Sequence, residues 1–407
     1  MAATHDALGA YLDNAATTPV LPEAAAAMAA VLGADPASRR AGLFANPSAV
    51  HRWGLAAAER VAEARRAVAA VLGTTAAEVV FTSGGTEANH LGILGHCRAG
   101  VRRGRHLVTT ATEHRSVLSA VAVLAAEGWQ VTYVPVGRDG RVRPEDVLAA
   151  VRPDTILVTL AHVNNEIGAM QPVRRIADAL RHAFGRGEGP RFHVDAVQAL
   201  GKVDADYGAW GVDSASVSAH KVGGPKGVGA LYLRRGTRLL PPVPGGEQEG
   251  GLRPGTENVP GIVGFGAALA SRAQPAGALL RPLKLRLLAG LSQALPGVEV
   301  NGPDPADAEA AAPHIVNLSF AAVTPLPAEV LLHALEGVGI ACSAGSACSA
   351  RRPEPSHVLA ALGLPDARVR GSLRFSLGPC TGPAAIDWAV RHAPTAIASL
   401  VRLEGRR

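Results

Sequence analysis

Two patterns of apolar and polar positions alternate along most of this chain. Short apolar runs end in small polar turns, and longer stretches place apolar residues every three or four positions. The first reads as buried strands and the second as amphipathic helices. A helix is expected over 22–32. A longer one is expected over 54–72, where Leu55, Ala58, Val61, Ala64, Val68 and Val71 fall near helical spacing. Strands are expected at 79–81, 105–110, 155–160 and 191–195, and a further small-residue run leads to 216–221. Strand-helix alternation of this kind predicts an α/β fold, a doubly wound sheet of mainly parallel strands. Beyond about residue 261 the alternation lapses. A helix over 279–295, strands near 298–300 and 314–320, and a closing helix over 383–403 follow.

The length of 407 residues exceeds one ordinary core and points to roughly two domains. Apolar residues make up 48%, ample for a packed interior, yet no uninterrupted apolar run reaches the roughly 18 residues of a membrane span. The first ten residues contain His5 and Asp6 and do not read as a signal peptide, so a cytoplasmic location is the expectation. The net charge of +6 is dispersed, which argues against direct nucleic-acid binding. Cys97, Cys342, Cys348 and Cys380 have neither zinc-ligand spacing nor a disulfide framework, so any chemistry they perform is that of free thiols.

The stretch 216–227 ends a buried run in Ser218-Ala219-His220-Lys221 and then breaks into glycine and proline. A lysine at the mouth of a sheet is a Schiff-base former, because burial disfavours its ammonium form; the alternative is a surface lysine on a loop. Residues 79–89 read as strand, Ser-Gly-Gly-Thr turn and helix start, whose free N–H groups suit an anion, although such turns also serve geometry alone. The turn lacks a Walker lysine and a dinucleotide glycine pattern. His114 falls at a strand's C-terminal end, where ligands of open α/β sheets bind, or simply caps the next helix. Asn46 and His51 have the same two readings. Asp195 ends a buried strand and needs a cation or several donors to stay ionised; a protonated pyridine nitrogen would serve.

Taken in order, several segments resemble the cysteine desulfurases, pyridoxal-phosphate enzymes of the class V aminotransferase group, over residues 11–378. They are 12–18, 81–87, 162–168, 193–198, 218–227 and Arg253-Pro254-Gly255-Thr256-Glu257-Asn258. The resemblance implies an aspartate aminotransferase-like architecture (fold type I). A large cofactor-binding domain would span 16–261, and a smaller α+β C-terminal domain 262–407 together with 1–15. It implies that Lys221 holds pyridoxal 5'-phosphate as a Schiff base and shuttles the substrate's proton. Asp195 would pair with the ring nitrogen, His114 stack on the ring, and Gln198 bond its phenolic oxygen. Gly85, Thr86, Ser218 and His220 would hold the phosphate, with Thr256 supplied by the other subunit of a homodimer. Asn165 would sit beside ring and substrate, and Arg374 would grip the substrate carboxylate with its planar fork.

The fold alone leaves the reaction open. The stretch 341–357, rich in glycine, serine and alanine, reads as a mobile loop, and a thiol there is unusual because unbonded cysteines are mostly buried. Cys348 matches the nucleophile of the long-loop branch, whereas Cys342 reads as packing and Cys97 and Cys380 as structural. The implied reaction converts L-cysteine to L-alanine and leaves a persulfide on Cys348. A sulfur-acceptor or scaffold protein would then take the sulfur for iron-sulfur cluster assembly or tRNA thiolation. The resemblance also implies a transient iron-sulfur cluster on Cys348, which one thiol alone cannot hold. A selenocysteine lyase would use the same groups, and a non-catalytic scaffold has no physical need for them together.

Overall fold

The computed structural model describes residues 9–32, 43–185, 187–271, 275–345 and 355–404, without the side chains of 401–404. Strand β1 (Ala10–Tyr11) is followed by the strands of a seven-stranded sheet: β2 (Val79–Thr82), β3 (His106–Thr110), β4 (Gln130–Val134), β5 (Thr155–Ala161), β6 (Arg191–Asp195), β7 (Ser214–Ser218) and β8 (Gly229–Leu233). Their order across the sheet is β2-β8-β7-β6-β5-β3-β4. Only β8 runs against the rest, pairing antiparallel with β2 and β7. The interior strands β3, β5 and β7 are buried throughout, as expected where helices cover both faces, and the edge strand β4 is largely open to solvent.

The chain leaves β3 in one direction for β4, then returns to add β5, β6 and β7 on the other side. Ligands of open α/β sheets collect outside the strand C-termini near such a reversal. The turns after β2, β3, β5, β6 and β7 all open on that edge.

The helix expected over 54–72 forms as Arg52–Leu72 and buries the expected Val61, Ala64 and Val68, but Leu55 falls outside the buried face. Gly54, Ala57, Val61, Ala64, Val68, Ala69 and Leu72 point inward, and Leu55 is 59% exposed. The helix lies against Val259–Ala270 so tightly that a Cβ on Gly266 would sit 2.6 Å from the Ala64 Cα. Small residues make this closest approach, and Val61, Val68 and Leu72 fill the rest of the buried face. His51 caps this helix by accepting from the Gly54 N–H at 3.2 Å, the simpler of its two readings.

A second core forms beyond the sheet. Strands β9 (Glu299–Asn301), β10 (Ile315–Ser319) and β12 (Ser372–Ser376) make an antiparallel sheet in the order β12-β10-β9, and β11 (Ile340–Ala341) pairs in parallel with β1. Leu12 is fully buried and packs in this core with Leu287, Leu318, Leu331, Phe375 and Ile386. The helices Gly277–Ala294 and Pro383–Glu404 lie close to their expected positions. Cys97 is fully buried, but Cys380 is exposed, which corrects its structural reading: it lies in a turn after β12 with no core to fill. Among the described residues no helix is long and apolar enough to cross a membrane.

Leu12→Ala removes a fully buried side chain that ties the N-terminal segment to the second core. Its stability by denaturant titration is expected to fall by about 2–5 kcal/mol. A loss below about 1 kcal/mol, the scale of a tolerated surface change, would show that the segment is not anchored there.

Candidate active site

Side chains from five strand ends and from the N-terminal thread line one cavity of about 260 Å³. Gly85 and Thr86 open the helix Gly85–Gly100 after β2, and His114 follows β3. Asn165 follows β5, Asp195 ends β6, and Ser218, His220 and Lys221 end β7. Gln198 and Arg374 complete the expected set on this wall. Two expected residues stand apart. Thr256 lines a separate pocket with Asn46 and Pro47, and Cys348 lies outside the described residues.

Lys221 donates to the backbone carbonyls of Ala15 and Ala16 at 2.5 and 2.7 Å. The same thread contacts the neighbouring turn, where Thr18 Oγ1 donates to the His220 carbonyl at 2.8 Å and accepts from the Gly223 N–H at 2.8 Å. Gln198 Nε2 donates to the Ala15 carbonyl at 2.9 Å. Burial, reinforced by Lys221, Lys202 and Lys226, pushes His220 down to about 3, so it enters the cavity wall as a neutral imidazole.

Arg374 is buried. It donates through Nη2 to Asp13 Oδ1 at 2.8 Å and through Nη1 to the Asn165 carbonyl at 2.9 Å. Its Nε has no hydrogen-bond partner among the described residues. Cys342, partly buried against the second core, has its thiol pushed up, chiefly by burial and further by Asp13. That fits its reading as packing, because a thiol held protonated is a poor nucleophile.

Asp195, 5% exposed, accepts from the Val197 N–H at 3.0 Å and from Asn89 Nδ2 at 2.8 Å. His114 serves both of its readings. Its Nδ1 accepts the Ser116 N–H at 3.1 Å as a helix cap, and its ring lines the cavity. Asn89 and Ser116 also line the cavity and were not singled out from the sequence. Asn89 closes the Ser-Gly-Gly-Thr motif, and a polar residue one turn into an otherwise apolar helix was the available signal.

The donor set fits pyridoxal phosphate. The helix start offers free N–H groups to a phosphate, beside the Thr86 and Ser218 hydroxyls. A Cβ at Gly85 would lie 2.7 Å from Val197 Cγ2, so only glycine lets the backbone reach this end of the cavity. An amine, a buried carboxylate and an imidazole face suit the ring. Fold and site together define a pyridoxal-phosphate-dependent enzyme of fold type I. Residues 10–387 match the family model Aminotransferase class-V.

Cysteine desulfurase IscS of Dictyoglomus turgidum is 40% identical over 371 residues, covering 90% of this chain and 89% of that protein. Cysteine desulfurase IscS of Anaeromyxobacter dehalogenans is 42% identical over 387 residues, 94% of this chain and 90% of its own. Among solved structures, a NifS-like protein matches with a TM-score of 0.85 at 32% identity, covering 96% of this chain and 100% of that one. SspA, solved in complex with cysteine, matches with a TM-score of 0.77 at 34% identity, covering 91% and 99%. The chain belongs to the class-V aminotransferase family and, within it, to the cysteine desulfurases.

Glu113, directly before His114, is 1% exposed and accepts from Thr110 Oγ1 and the Ala161 N–H at 2.7 Å each. Burial raises its carboxyl to about 8, with Asp195 adding to the rise against these two hydrogen bonds. The folded chain thus keeps a proton that the unfolded chain releases above about pH 4.5, so this contribution to stability is lost as pH rises towards 8. Glu113→Gln is expected to flatten the decline in stability between pH 5 and 9, measured by denaturant titration. An unchanged slope would remove Glu113 as its source.

Proposed function

We propose that this chain converts L-cysteine to L-alanine and leaves the sulfur as a persulfide on Cys348. The observation that carries this reading is the convergence of Lys221, Asp195, His114 and Arg374 on one cavity in a cysteine desulfurase chain. The complex of SspA with cysteine supports cysteine as the substrate. Bound pyridoxal phosphate supplies an electron sink for bond breaking next to the substrate's α carbon.

Asp195 would receive the ring N–H, and His114 would support the ring. Gln198 would bond the phenolic oxygen, and Gly85, Thr86, Ser218 and His220 would hold the phosphate. Arg374, held by Asp13, takes the substrate carboxylate, and Asn165 stands beside it. Lys221 takes the α proton and returns a proton to product. The Cys348 thiolate attacks the substrate sulfur: the S–S bond forms as the C–S bond breaks, and the carbon gains the proton that completes alanine's methyl group. Sulfur is oxidised and carbon reduced, so no outside oxidant is consumed.

The segment carrying Cys348 returns to described structure beside the cavity, where Ser356 Oγ donates to Glu166 Oε2 at 2.5 Å, next to Asn165. That proximity supports the role of Cys348. The distance of Thr256 from its own chain's cavity supports a homodimer in which each Thr256 serves the partner. The same reading includes a protein acceptor for the sulfur, in iron-sulfur cluster assembly or tRNA thiolation, a transient cluster on Cys348 and a cytoplasmic setting. The same reading divides the chain into a domain of residues 16–261 and one of 262–407 with 1–15; Ile262, Phe265 and Leu269, just past that boundary, pack in the larger core.

With L-cysteine, Cys348→Ser is expected to keep the cofactor's visible band yet form neither alanine nor persulfide. Lys221→Ala is expected to lose that band and to slow alanine release by about 10²–10⁴-fold. Persulfide from Cys348→Ser would disqualify Cys348 as the nucleophile.

A further inference from the structure

Behind the cavity, buried polar side chains connect the two strand ends that carry Asp195 and His114. Asn89, 1% exposed, donates through Nδ2 to Asp195 Oδ2 at 2.8 Å and to Ser116 Oγ at 2.9 Å. Its Oδ1 is 3.2 Å from His193 Nε2. Ser116 Oγ is in turn 2.8 Å from His114 Nδ1, which also receives the Ser116 N–H. On the far side, Ser214 Oγ lies 2.8 Å from both His193 Nδ1 and His96 Nε2. Gly92 makes room for this arrangement, because a Cβ there would sit 2.5 Å from the His193 ring.

We propose, building on the desulfurase reading, that Asn89 is a positioning residue whose single amide both orients Asp195 and locks His114 as the tautomer protonated at Nε2. Hydrogen counting gives this result. Turning the amide over would set its oxygen against a carboxylate oxygen, so both Nδ2 hydrogens are committed, one to Asp195 and one to Ser116. Ser116 Oγ accepts from Asn89, which leaves its own hydrogen for His114 Nδ1. With Nδ1 accepting from both the hydroxyl and the backbone N–H of Ser116, a neutral His114 carries its proton on Nε2. On the other side Asn89 Oδ1 needs a donor, which makes His193 the Nε2–H tautomer, its hydrogen shared between Asn89 Oδ1 and Ser216 Oγ at 3.3 Å, with Nδ1 accepting from Ser214.

Charge supports the neutral forms. Burial drives His193 down to about 3, aided by His96. Burial also lowers His114. Asp195 opposes this, while Lys221, His357 and Arg115 add to it. His114 thereby offers the cavity an N–H donor rather than a base. The step that returns a proton is left to Lys221, and His114 is suited to hold an electronegative atom of cofactor or substrate.

The test compares the cofactor-loaded parent with Asn89→Ala and Ser116→Ala, using ¹⁵N NMR of ring-labelled histidine and the pH profile of alanine formation. The parent is expected to show His114 protonated at Nε2 and bare at Nδ1. Asn89→Ala frees the Ser116 hydroxyl to turn and leaves the Ser116 N–H alone to keep Nδ1 bare, so a measurable share of the Nδ1-protonated tautomer is expected, with kcat lowered about 10–100-fold, the scale of losing one hydrogen bond to a charged group. In Ser116→Ala the Nδ1 loses a donor, protonation there becomes easier, and the acid limb of the pH profile moves to higher pH.

A parent His114 protonated at Nδ1 overturns the proposal, as does an Asn89→Ala protein that keeps both the parent tautomer and the parent profile. Should Asn89→Ala fail to fold, an unmoved acid limb in Ser116→Ala overturns it equally. A parent that forms no alanine refutes the desulfurase reading, while the tautomer assignment still stands or falls on the NMR spectrum.

Discussion

The Lys221 amine is held by two carbonyls of the N-terminal segment, those of Ala15 and Ala16, and the rest of the site is arranged around that contact. A thread over 13–18, which turns at 14–16, makes it possible. Asp13 at one end holds Arg374, Asn14 Nδ2 donates to the Ser376 carbonyl at 3.0 Å, and Thr18 at the other end ties down the turn that carries Lys221. The thread thus joins the antiparallel sheet of the second core to the C-terminal edge of the parallel sheet. Its backbone polar groups find partners on both sides, as a buried segment requires. Arg374 and Lys221, the proposed substrate arginine and cofactor lysine, are thereby registered against each other, although 153 positions, the difference between 374 and 221, separate them.

Burial sets the chemistry of the cavity's surroundings. A parallel sheet covered on both faces has a dry interior, and ionisable groups at its strand ends are charged only where donors or counter-charges hold them. Asp195 has two N–H donors. The histidines around it are kept neutral, His193 down to about 3 and His96 down to about 4. Neutral imidazoles have one donor and one acceptor each, so hydrogen-bond direction propagates through the group. A connected network of this kind rigidifies the wall against which a flat cofactor ring would rest.

Much of this was legible in the chain itself. Strand-helix alternation, the turn at Ser83–Thr86, the acid at Asp195 and the lysine at Lys221 follow from local pattern, because each depends on residues adjacent in sequence. Where the reading slipped, the cause was contact between distant segments. The helix Arg52–Leu72 meets its neighbour through Ala64 against Gly266 and leaves Leu55 exposed, a contact between segments about 200 positions apart in the chain. Cys380 has the residue type of a buried thiol but an exposed position. Asn89 looked like the end of a motif until the fold set it between Asp195 and Ser116.

The sequence by itself determined the α/β class, the family and the list of chemically capable residues, since periodicity and short motifs are written in consecutive positions. Tertiary structure decided which of those residues share a cavity, which hydrogens point where, and that the N-terminal thread supplies the partners of Lys221 and Arg374. The physical reason is that hydrogen bonds and burial act through space over a few ångströms. The pairs that matter here, Ala15 with Lys221, Asp13 with Arg374 and Asn89 with Asp195, are far apart along the chain.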